Sequence, residues 1–327
     1  MGTQIDRLTL ESHLPPDFLH AALRADVAAG LTATPKALPP RWFYDERGSQ
    51  LFEEITRLPE YYPTRAEREV LAAHAADVAA ATRAGTLVEL GSGSGEKTRL
   101  LLAALLDLGT LRTYVPVDVS RSALLESGAG LVSDFPHLTV HALLADFEHQ
   151  LDLLPREERR LTAFLGSTIG NLQPAERAEF LAALRRSTRP GDGLLLGTDL
   201  VKDPAVLVRA YDDAAGVTAE FNRNVLHVVN RELKADFDVA SFEHVAIWDP
   251  DREWVEMRLR SMRAQEVSVA ELDLVVPFAA GEEMRTEVSA KFRPDRVRAE
   301  LASAGFTARA GWTDPEGRFL VTLATAD

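Results

Sequence analysis

Three glycines in a G-x-G-x-G run, Gly91, Gly93 and Gly95, follow a short apolar stretch over residues 86–90. A helical pattern begins directly after the run, near Glu96, so the order is strand, glycine turn, helix. That order places backbone N–H groups and a helix N-terminus at the carboxyl edge of a sheet, where α/β proteins bind nucleotide-like ligands. The chain is therefore expected to build a parallel sheet with a ligand site at that edge.

An acidic residue two positions before the first glycine, Glu89, narrows the class of ligand. The resulting E-x-G-x-G-x-G motif resembles the S-adenosylmethionine loop of class I methyltransferases more than the G-x-G-x-x-G fingerprint of NAD-binding proteins. A pyrophosphate needs dense N–H donors, whereas S-adenosylmethionine carries an amino-acid moiety and ribose hydroxyls. The loop favours that ligand, and the alternative at this point is a tight strand-to-helix turn without a ligand.

Strand and helix patterns alternate through the middle of the chain, which is typical of a mostly parallel sheet. Strands are predicted over residues 86–90, 112–119, 138–145, 160–165 and 193–200. Helical patterns begin near Glu96, Ser120, Gln150 and Pro174. Two further strands, over residues 306–313 and 319–325, flank an Asp-Pro-Glu-Gly turn. The fold predicted is thus α/β, a Rossmann-like class I S-adenosylmethionine-dependent methyltransferase core whose sheet ends in an antiparallel hairpin.

The pattern divides the chain into three predicted parts. Residues 1–80 read as a mostly helical N-terminal part that contributes to the substrate site. Residues 81–200 and 286–327 form the Rossmann-like methyltransferase core. Residues 201–285 form an inserted α+β substrate-recognition lobe, since helical spacing there gives way to alternating strands.

Composition excludes several classes of protein. The 327 residues carry a net charge of −14, from 50 acidic and 36 basic side chains, which disfavours nucleic acid and anionic membranes as partners. Cysteine is absent, so disulfides, thiolate metal sites and a cysteine nucleophile are excluded. The opening residues 1–6 do not have the pattern of a secretory signal, and no apolar run is long enough to span a bilayer. A cytoplasmic protein is expected.

Acidic residues follow the next two predicted strands as well. Asp118 ends the second strand, where a carboxylate can accept hydrogen bonds from both ribose hydroxyls; its alternative role is to cap the next helix. Asp146 and Phe147 follow the third strand, where they can hold an adenine amino group and cover the base, although Asp146 also suits a turn. Lys97 lies just inside the glycine helix and can reach a carboxylate. Found together behind a glycine loop, these residues favour a cofactor site.

Other methyltransferase subclasses and a metal site are disfavoured. Many enzymes that act on base or amide nitrogen carry N-P-P-[YF] after the fourth strand, where this chain has G-S-T-I-G-N over residues 166–171. His137 and His141 are four residues apart on a predicted strand, which places them on one face without forming a site. No metal is expected.

Four segments make the chain similar to a known family. They are R-W-F-Y-D-E-R-G-S over residues 41–49, E-Y-Y-P-T over 60–64, L-G-S-G-S-G-E-K-T over 90–98 and G-S-T-I-G-N over 166–171. They resemble the L-histidine Nα-methyltransferases of ergothioneine biosynthesis, and the resemblance covers essentially the whole chain. It implies transfer of three methyl groups from S-adenosylmethionine to the α-amino group of histidine, which gives hercynine.

The resemblance also implies roles for individual residues. Tyr44 and Tyr61 are implied near the reacting amine and are the candidate catalytic residues. The implied cofactor-binding residues are Gly91, Gly93, Lys97, Asp118, Asp146, Phe147 and Thr168. The implied histidine-binding residues are Tyr61, Gly166, Asn171, Tyr211, Thr218, Met257, Glu287 and Ser289. Among the last set, Glu287 is expected to accept a hydrogen bond from an imidazole N–H, and Ser289 is expected to serve the other ring nitrogen as a donor.

Three alternatives stay open at the level of sequence. A sister enzyme acting on another aromatic amino acid, such as tryptophan, shares the fold, although Glu287, Ser289 and Met257 favour imidazole over the bulkier indole with its single donor. A non-catalytic protein that binds S-adenosylmethionine or an amino acid is the second. A nucleic-acid methyltransferase is the third and is disfavoured by the charge. A monomer is expected, because the chain has neither cysteine nor coiled-coil heptads.

Overall fold

A computed structural model describes residues 7–93, 95–156 and 158–327 of the chain. The predicted absence of a signal concerns residues 1–6, and Ser94 belongs to the glycine motif; both lie outside the described residues, as does Glu157.

The helices begin and end as follows: α1 Phe18–Thr32, α2 Glu46–Ile55, α3 Pro63–Thr82, α4 Thr98–Asp107, α5 Arg121–Asp134, α6 Pro174–Ser187, α7 Pro204–Tyr211, α8 Val217–Leu233 and α9 Pro294–Ser303. Proline opens several of them, at a position whose N–H has no intrahelical partner, so nothing is lost by its absence.

The strands are β1 Leu8–Ser12, β2 Thr86–Leu90, β3 Thr113–Asp118, β4 Thr139–Leu144, β5 Arg160–Phe164, β6 Gly193–Asp199, β7 Phe242–Asp249, β8 Trp254–Ser261, β9 Gln265–Val269, β10 Leu274–Phe278, β11 Glu283–Ala290, β12 Phe306–Thr313 and β13 Phe319–Ala326.

The chain forms two compact units, each made of separate segments. The first unit contains Met1–Leu14, Arg65–Leu200 and Phe292–Asp327, and the second contains Pro15–Thr64 and Val201–Lys291. These limits differ from the predicted ones at residues 80/81 and 285/286. Helix α3 packs against β6 of the first unit, and β11 pairs with β8 of the second.

Within the described residues, the first unit is built on a sheet of eight strands in the order β1-β4-β3-β2-β5-β6-β13-β12. The strands from β1 to β6 pair in parallel, whereas β13 runs antiparallel to both β6 and β12. This mostly parallel sheet with a terminal antiparallel hairpin is the class I methyltransferase fold, so the predicted fold is confirmed.

The middle strands are buried on both faces, as parallel strands covered by helices are. All residues of β2 and β6 are buried, which explains why both read as nearly continuous apolar runs. The order of the strands across the sheet reverses at β2, which lies between β3 and β5. The carboxyl end of β2 is therefore the topological switch point of the sheet. The glycine turn lies there.

The N-terminal region is mostly helical, with α1, α2 and most of α3 before residue 81. It also contains one strand that was not predicted, β1, which pairs in parallel with β4 through partners such as Leu8 and Val140. One expectation about secondary structure was wrong. The helix expected near Gln150 is only a short 3-10 turn, Leu151–Leu153. A five-residue strand whose partner lies more than a hundred residues away leaves almost no local signal.

The second unit combines helices with small antiparallel sheets. Strands β7, β8 and β11 form a three-stranded sheet in the order β11-β8-β7, and β9 pairs with β10. The helix α8 carries a long buried face that includes Phe221, Asn222 and Asn224. The predicted helical and strand content of this region is therefore present, with α1 and α2 belonging to the same unit.

In the part of the chain that the structure describes, no helix is both long and apolar enough to cross a membrane. The same residues contain no group of three or more histidine, aspartate or glutamate side chains placed to hold a metal ion.

Candidate functional site

The glycine turn follows β2 and has the backbone conformation that only glycine adopts without strain. Gly91, Gly93 and Gly95 have φ values of 66°, 49° and 67°. A Cβ at Gly91 would lie 3.5 Å from the ring of Phe147, and one at Gly93 would have nothing within 4 Å. The turn is therefore open on the side of Gly93, where a ligand can approach the backbone.

Asp118, at the end of β3, is tied to this turn. One carboxylate oxygen accepts a hydrogen bond from the backbone N–H of Gly93 at 3.2 Å, and the other accepts from Ser120 N–H at 2.9 Å. Burial raises the pKa of Asp118, against the lowering effect of those N–H groups. Ser120, not Asp118, caps α5. Each Asp118 oxygen keeps a further lone pair, so the carboxylate still has acceptor sites for hydroxyl groups.

A second carboxylate, Glu89, is buried beneath the turn. Its two oxygens accept hydrogen bonds from the hydroxyl groups of Thr98 and Tyr114. Burial raises the pKa of Glu89 to about 7, although these two donors and Lys97 act to lower it. The glutamate of the motif therefore fastens β2 to β3 and to the start of α4, and its contacts are structural.

Lys97 is held by a glutamate that sequence reasoning did not single out. Its ammonium group donates to the fully buried carboxylate of Glu67, which also accepts two hydrogen bonds from Gly166 N–H, at 2.8 and 3.0 Å. Gly197 has no side chain at the place where Glu67 lies, since a Cβ there would be 2.1 Å from the carboxylate. Glu67 thus joins the glycine helix to the turn after β5.

That turn after β5 contains two consecutive residues in the left-handed region, Gly166 at φ 75° and Ser167 at φ 58°. The unfavourable conformation of Ser167 is stabilised by its hydroxyl, which accepts from Asp199 N–H at 2.9 Å. A 3-10 turn, Thr168–Asn171, follows, and Thr168 Oγ1 donates to Leu165 O at 3.0 Å. Such conformations cost free energy and cluster at functional sites.

Asp146 and Phe147 follow β4. The Asp146 carboxylate accepts from Glu148 N–H at 2.9 Å and forms a 2.8 Å contact with His149 Nδ1, so it does shape a turn as the alternative interpretation held. The ring of Phe147 packs edge-to-face on Phe164, with centroids 5.6 Å apart. One polar atom nearby has no partner among the described residues: the buried hydroxyl of Ser92, inside the glycine turn.

The second unit contains its own cluster of predicted residues, centred on β11. The register of β11 against β8 shifts between Arg285 and Glu287, a β-bulge that turns the following side chains. Glu287 lies opposite Met257 and therefore on the same face of the sheet. Burial raises the pKa of Glu287 to about 7, and Lys291 counteracts this only in part. No described residue donates a hydrogen bond to its carboxylate.

Ser289, two residues further along β11, takes part in a buried polar triad. The hydroxyl of Tyr211 donates to Ser289 Oγ at 2.8 Å, and Lys291 Nζ donates to both oxygens, at 2.8 Å to Tyr211 and 2.9 Å to Ser289. The lysine also lies over the Tyr211 ring, 4.7 Å from its centroid. The predicted residues Tyr211 and Ser289 are thus in direct contact.

The bulge itself is supported by a buried chain of hydrogen bonds. Thr286 Oγ1 donates to Asn222 Oδ1 at 2.6 Å, and Asn222 Nδ2 lies 2.8 Å from His244 Nδ1. His244 Nε2 in turn donates to Tyr211 O at 2.8 Å. Burial lowers the pKa of His244, which favours the neutral ring that this chain of donors and acceptors requires. The chain connects the Glu287 strand to the Tyr211 helix.

Aromatic rings extend this cluster towards the two tyrosines predicted near the amine. The ring of Tyr61 lies 6.3 Å from that of Tyr211 and 6.1 Å from that of Phe52. Tyr44 packs on Phe52 and Phe221 and is 46% exposed. Tyr61 therefore adjoins the triad of Tyr211, and Phe52 packs between Tyr61 and Tyr44.

Thr218 and Met257 are buried in the second unit. Thr218 lies in the first turn of α8, where its backbone N–H donates to Asp213 Oδ1 at 2.7 Å. The structure thus gathers the predicted residues into two groups. Gly91, Gly93, Lys97, Asp118, Asp146, Phe147, Gly166, Thr168 and Asn171 belong to the first unit, and Tyr44, Tyr61, Tyr211, Thr218, Met257, Glu287 and Ser289 to the second.

The family to which such a chain belongs follows from comparison with known proteins. Residues 23–326 match the family described as histidine-specific methyltransferase, SAM-dependent, which covers well over half of the chain. The chain belongs to this family of histidine-specific methyltransferases. Its membership makes S-adenosylmethionine the methyl donor and is consistent with the class I fold of the first unit.

Among relatives of this methyltransferase, two are similar over almost their whole length. The histidine N-alpha-methyltransferase of Mycolicibacterium smegmatis is 59% identical, over 97% of this chain and 99% of the relative. That of Mycobacterium tuberculosis is 58% identical, over 97% and 99% respectively. The ergothioneine biosynthesis protein 1 of Neurospora crassa is 38% identical over 60% of this chain and 23% of its own length.

Sequence reasoning missed three polar residues that hold this methyltransferase's candidate site together: Glu67, Asn222 and Lys291. Each is buried, and each forms hydrogen bonds to a predicted residue or to its neighbour in the chain. A glutamate, an asparagine and a lysine within ordinary helical or strand patterns give no local signal, because their partners are distant in sequence.

Proposed function

We propose that this protein transfers three methyl groups from S-adenosylmethionine to the α-amino nitrogen of L-histidine, forming hercynine for ergothioneine biosynthesis. The near-full-length similarity to two histidine N-alpha-methyltransferases supports the reaction, and the similarity to an ergothioneine biosynthesis protein supports the pathway. The observation that carries the choice of substrate is Glu287, a half-buried carboxylate that no described residue donates a hydrogen bond to, two residues from the Ser289 hydroxyl on β11. An imidazole offers groups that match both.

The first unit fits S-adenosylmethionine by its donor and acceptor chemistry. The turn of Gly91 and Gly93 is open, the Ser92 hydroxyl has no partner among described residues, and Asp118 keeps acceptor sites for hydroxyl groups. When bound, S-adenosylmethionine supplies an electrophilic methyl carbon on a sulfonium sulfur. The residues that we propose to hold it are Gly91, Gly93, Lys97, Asp118, Asp146, Phe147 and Thr168.

The proposed histidine contacts centre on β11 and its neighbours in the second unit. In this proposal Glu287 accepts from one ring nitrogen, Ser289 serves the other, and Met257 packs beside the ring. Tyr211 reaches the substrate from the triad with Ser289. The full set that we propose is Tyr61, Gly166, Asn171, Tyr211, Thr218, Met257, Glu287 and Ser289.

Methyl transfer is an in-line displacement, so orientation of the amine supplies much of the rate, on the order of 7–11 kcal/mol in favourable systems. The amine must be neutral to attack, and it becomes positively charged as the bond forms. A tyrosine of ordinary pKa, about 10, is a poor base near pH 7. We therefore propose that the hydroxyls of Tyr44 and Tyr61 orient the amine, and that their rings favour the quaternary product through cation–π contact.

The role of the two tyrosines makes a direct prediction. Tyr61→Phe should lower kcat by roughly tenfold, since one hydrogen bond to a group that becomes charged is worth about 1.5 kcal/mol. Tyr44→Phe should have a smaller effect, because Tyr44 is 46% exposed and a water molecule can replace its hydroxyl more easily. Steady-state kinetics with histidine at several pH values measures both. Unchanged turnover and an unchanged pH profile in both variants would rule out the orienting role.

The reaction itself is tested by mass spectrometry of the product made from histidine and S-adenosylmethionine. The proposal predicts three added methyl groups, all on the α-nitrogen by fragmentation, with S-adenosylhomocysteine formed in a threefold amount. Methylation of a ring nitrogen, or binding of both ligands without turnover, would contradict it.

We also propose, from composition and motif content, that turnover needs no metal and that the chain acts as a monomer in the cytoplasm without nucleic-acid or membrane partners.

A further inference from the structure

Lys291 is a buried cation at the candidate histidine pocket, one residue beyond the end of β11. Only 2% of its surface is exposed. Its ammonium group donates to the oxygens of Tyr211 and Ser289, at 2.8 and 2.9 Å. A lysine is rarely buried unless hydrogen bonds or an opposite charge compensate for the lost hydration of its ammonium group.

The lysine fixes the direction of the hydrogen bond that Ser289 can offer. An ammonium group only donates, and a hydroxyl oxygen has two lone pairs. Ser289 Oγ accepts from Lys291 and from the Tyr211 hydroxyl, which uses both lone pairs. The hydroxyl proton of Ser289 is then what remains for a ligand, so Ser289 acts as a donor.

Glu287 has the opposite character. It precedes Ser289 by two residues on the same strand, so both side chains lie on one face of β11. Its carboxylate receives no hydrogen bond from the described part of the chain, and an ionised carboxylate only accepts. The pocket therefore pairs one acceptor, Glu287, with one donor, Ser289.

A neutral imidazole presents one N–H and one lone pair, whereas an imidazolium presents two N–H groups. Given the function proposed above, we infer that Lys291 determines specificity for the neutral imidazole of histidine, by fixing Ser289 as the donor to the unprotonated ring nitrogen while Glu287 accepts from the other. An imidazolium would set an N–H against the Ser289 hydroxyl. It would also add a second positive charge near Lys291, which already compensates Glu287.

Other titratable groups lie around Glu287 and Ser289, and the test must cancel their effects on kcat/KM. Besides Glu287 and Lys291 on or next to β11, they are Tyr211 on α7, Tyr61 beside its ring, Asp212 and His244. The segment before β8 contributes Glu253, whose backbone carbonyl accepts from Lys291 N–H at 2.7 Å. Apart from their effect on a charged ring, which is the property under test, these groups act alike on two substrates that differ only in the ring.

The experiment compares histidine with 1,2,4-triazolylalanine, whose ring stays neutral over the pH range in which imidazole takes up a proton. The quantity measured is the ratio of kcat/KM for histidine to kcat/KM for the triazole, at pH 7.5 and pH 5.5. With an imidazole pKa of about 6.5, the wild-type ratio should fall about tenfold over this range. The ionisation of the amine affects both substrates alike and drops out.

Lys291→Met should flatten this dependence, to a fall of less than about threefold over the same pH range. Without the ammonium group, the Ser289 hydroxyl can turn towards Tyr211 and present a lone pair, so the imidazolium becomes acceptable. Lys202→Met is the matched control, because Lys202 donates to another tyrosine of the same unit, Tyr62, at 2.6 Å. It should keep the wild-type dependence.

A wild-type ratio that stays constant with pH would overturn the inference by itself. The inference can therefore be tested even if Lys291→Met does not fold. A Lys291→Met enzyme whose ratio falls as steeply as that of the wild type would overturn it as well. Neither result would affect the proposed function, which is tested by the identity of the methylated product.

Discussion

Glu287 is the residue on which the proposed choice of substrate depends most directly. It lies just after a β-bulge, on the same face as Met257, and burial raises its carboxyl pKa to about 7. A half-buried carboxylate without a hydrogen-bond donor is costly, and in the proposed complex an imidazole N–H supplies the missing hydrogen bond. The indole of tryptophan has one N–H and no second ring nitrogen, so it leaves the Ser289 hydroxyl without a partner.

Glu287→Ala should lower kcat/KM for histidine by roughly 10- to 150-fold, since a hydrogen bond to a charged group is worth about 1.5–3 kcal/mol. Other aromatic amino acids should then compete better. Glu283→Gln is the control on the same strand, because Glu283 pairs with Arg258 and Arg260, both at 2.6 Å, away from the triad. Selectivity measured against tryptophan and phenylalanine that is unchanged in Glu287→Ala would remove Glu287 from substrate recognition.

Glu89 makes a prediction about stability. Its pKa is raised from 4.5 to about 7 by burial, so the folded protein binds a proton between these pH values that the unfolded chain has lost. The contribution of Glu89 to the free energy of unfolding therefore falls as pH rises from about 4.5 to 7, by an amount on the order of 3 kcal/mol. Glu89→Gln removes this dependence.

The free energy of unfolding of Glu89→Gln minus that of wild type should thus be more positive at pH 8 than at pH 5. Denaturant titration at both values measures it. Glu69→Gln, at an exposed position of α3, is the matched control and should show the same difference at both pH values. A pH-independent difference for Glu89→Gln would mean that Glu89 is not the strained carboxyl that its burial indicates.

We propose that the bulge in β11 aims the side chains that contact the substrate. Thr286 anchors it by donating to Asn222 Oδ1 and to Met257 O, at 2.6 and 3.0 Å. Thr286→Val should cost about 1–3 kcal/mol of stability, because the buried Asn222 oxygen loses its donor. It should also raise KM for histidine several-fold, since Glu287 follows the bulge.

Thr198→Val separates these two effects. Thr198 is also fully buried and donates to a strand carbonyl, Leu320 O, at 3.2 Å, but it belongs to the other unit. Thr198→Val should be less stable than wild type and should have the same KM for histidine. Thermal unfolding and steady-state kinetics on both variants check this, and equal KM values in the two would show that the bulge does not aim Glu287.

Elements with strong periodicity were predictable to within one or two residues. β2 and β6 are apolar throughout because both of their faces are covered, and the terminal hairpin was marked by its Asp-Pro-Glu-Gly turn. β1 and the pair of β9 with β10 were not predicted. Their five-residue alternation is short, and distant pairing rather than local pattern stabilises them.

At the scale of the whole molecule, motif residues were predictable and their supports were not. The glycine turn, Asp118 and Asp146 follow strands whose carboxyl ends must share one edge of the sheet. The supporting roles of Glu67 and Lys291 could not be predicted from the sequence. They arise only when distant segments pack together, because each unit is assembled from separated parts of the chain. Residues such as Glu287 were predicted from the family resemblance. The contacts in the folded structure give the reason why Glu287 and Ser289 differ in hydrogen-bonding character.

The central claim is that the whole protein selects histidine among amino acids and methylates it three times. The most direct test incubates the protein with S-adenosylmethionine and an equal mixture of the twenty amino acids, followed by mass spectrometry of the products. The account predicts Nα-trimethylated histidine as the dominant product. A different methylated amino acid, or no methylated amino acid, would contradict it.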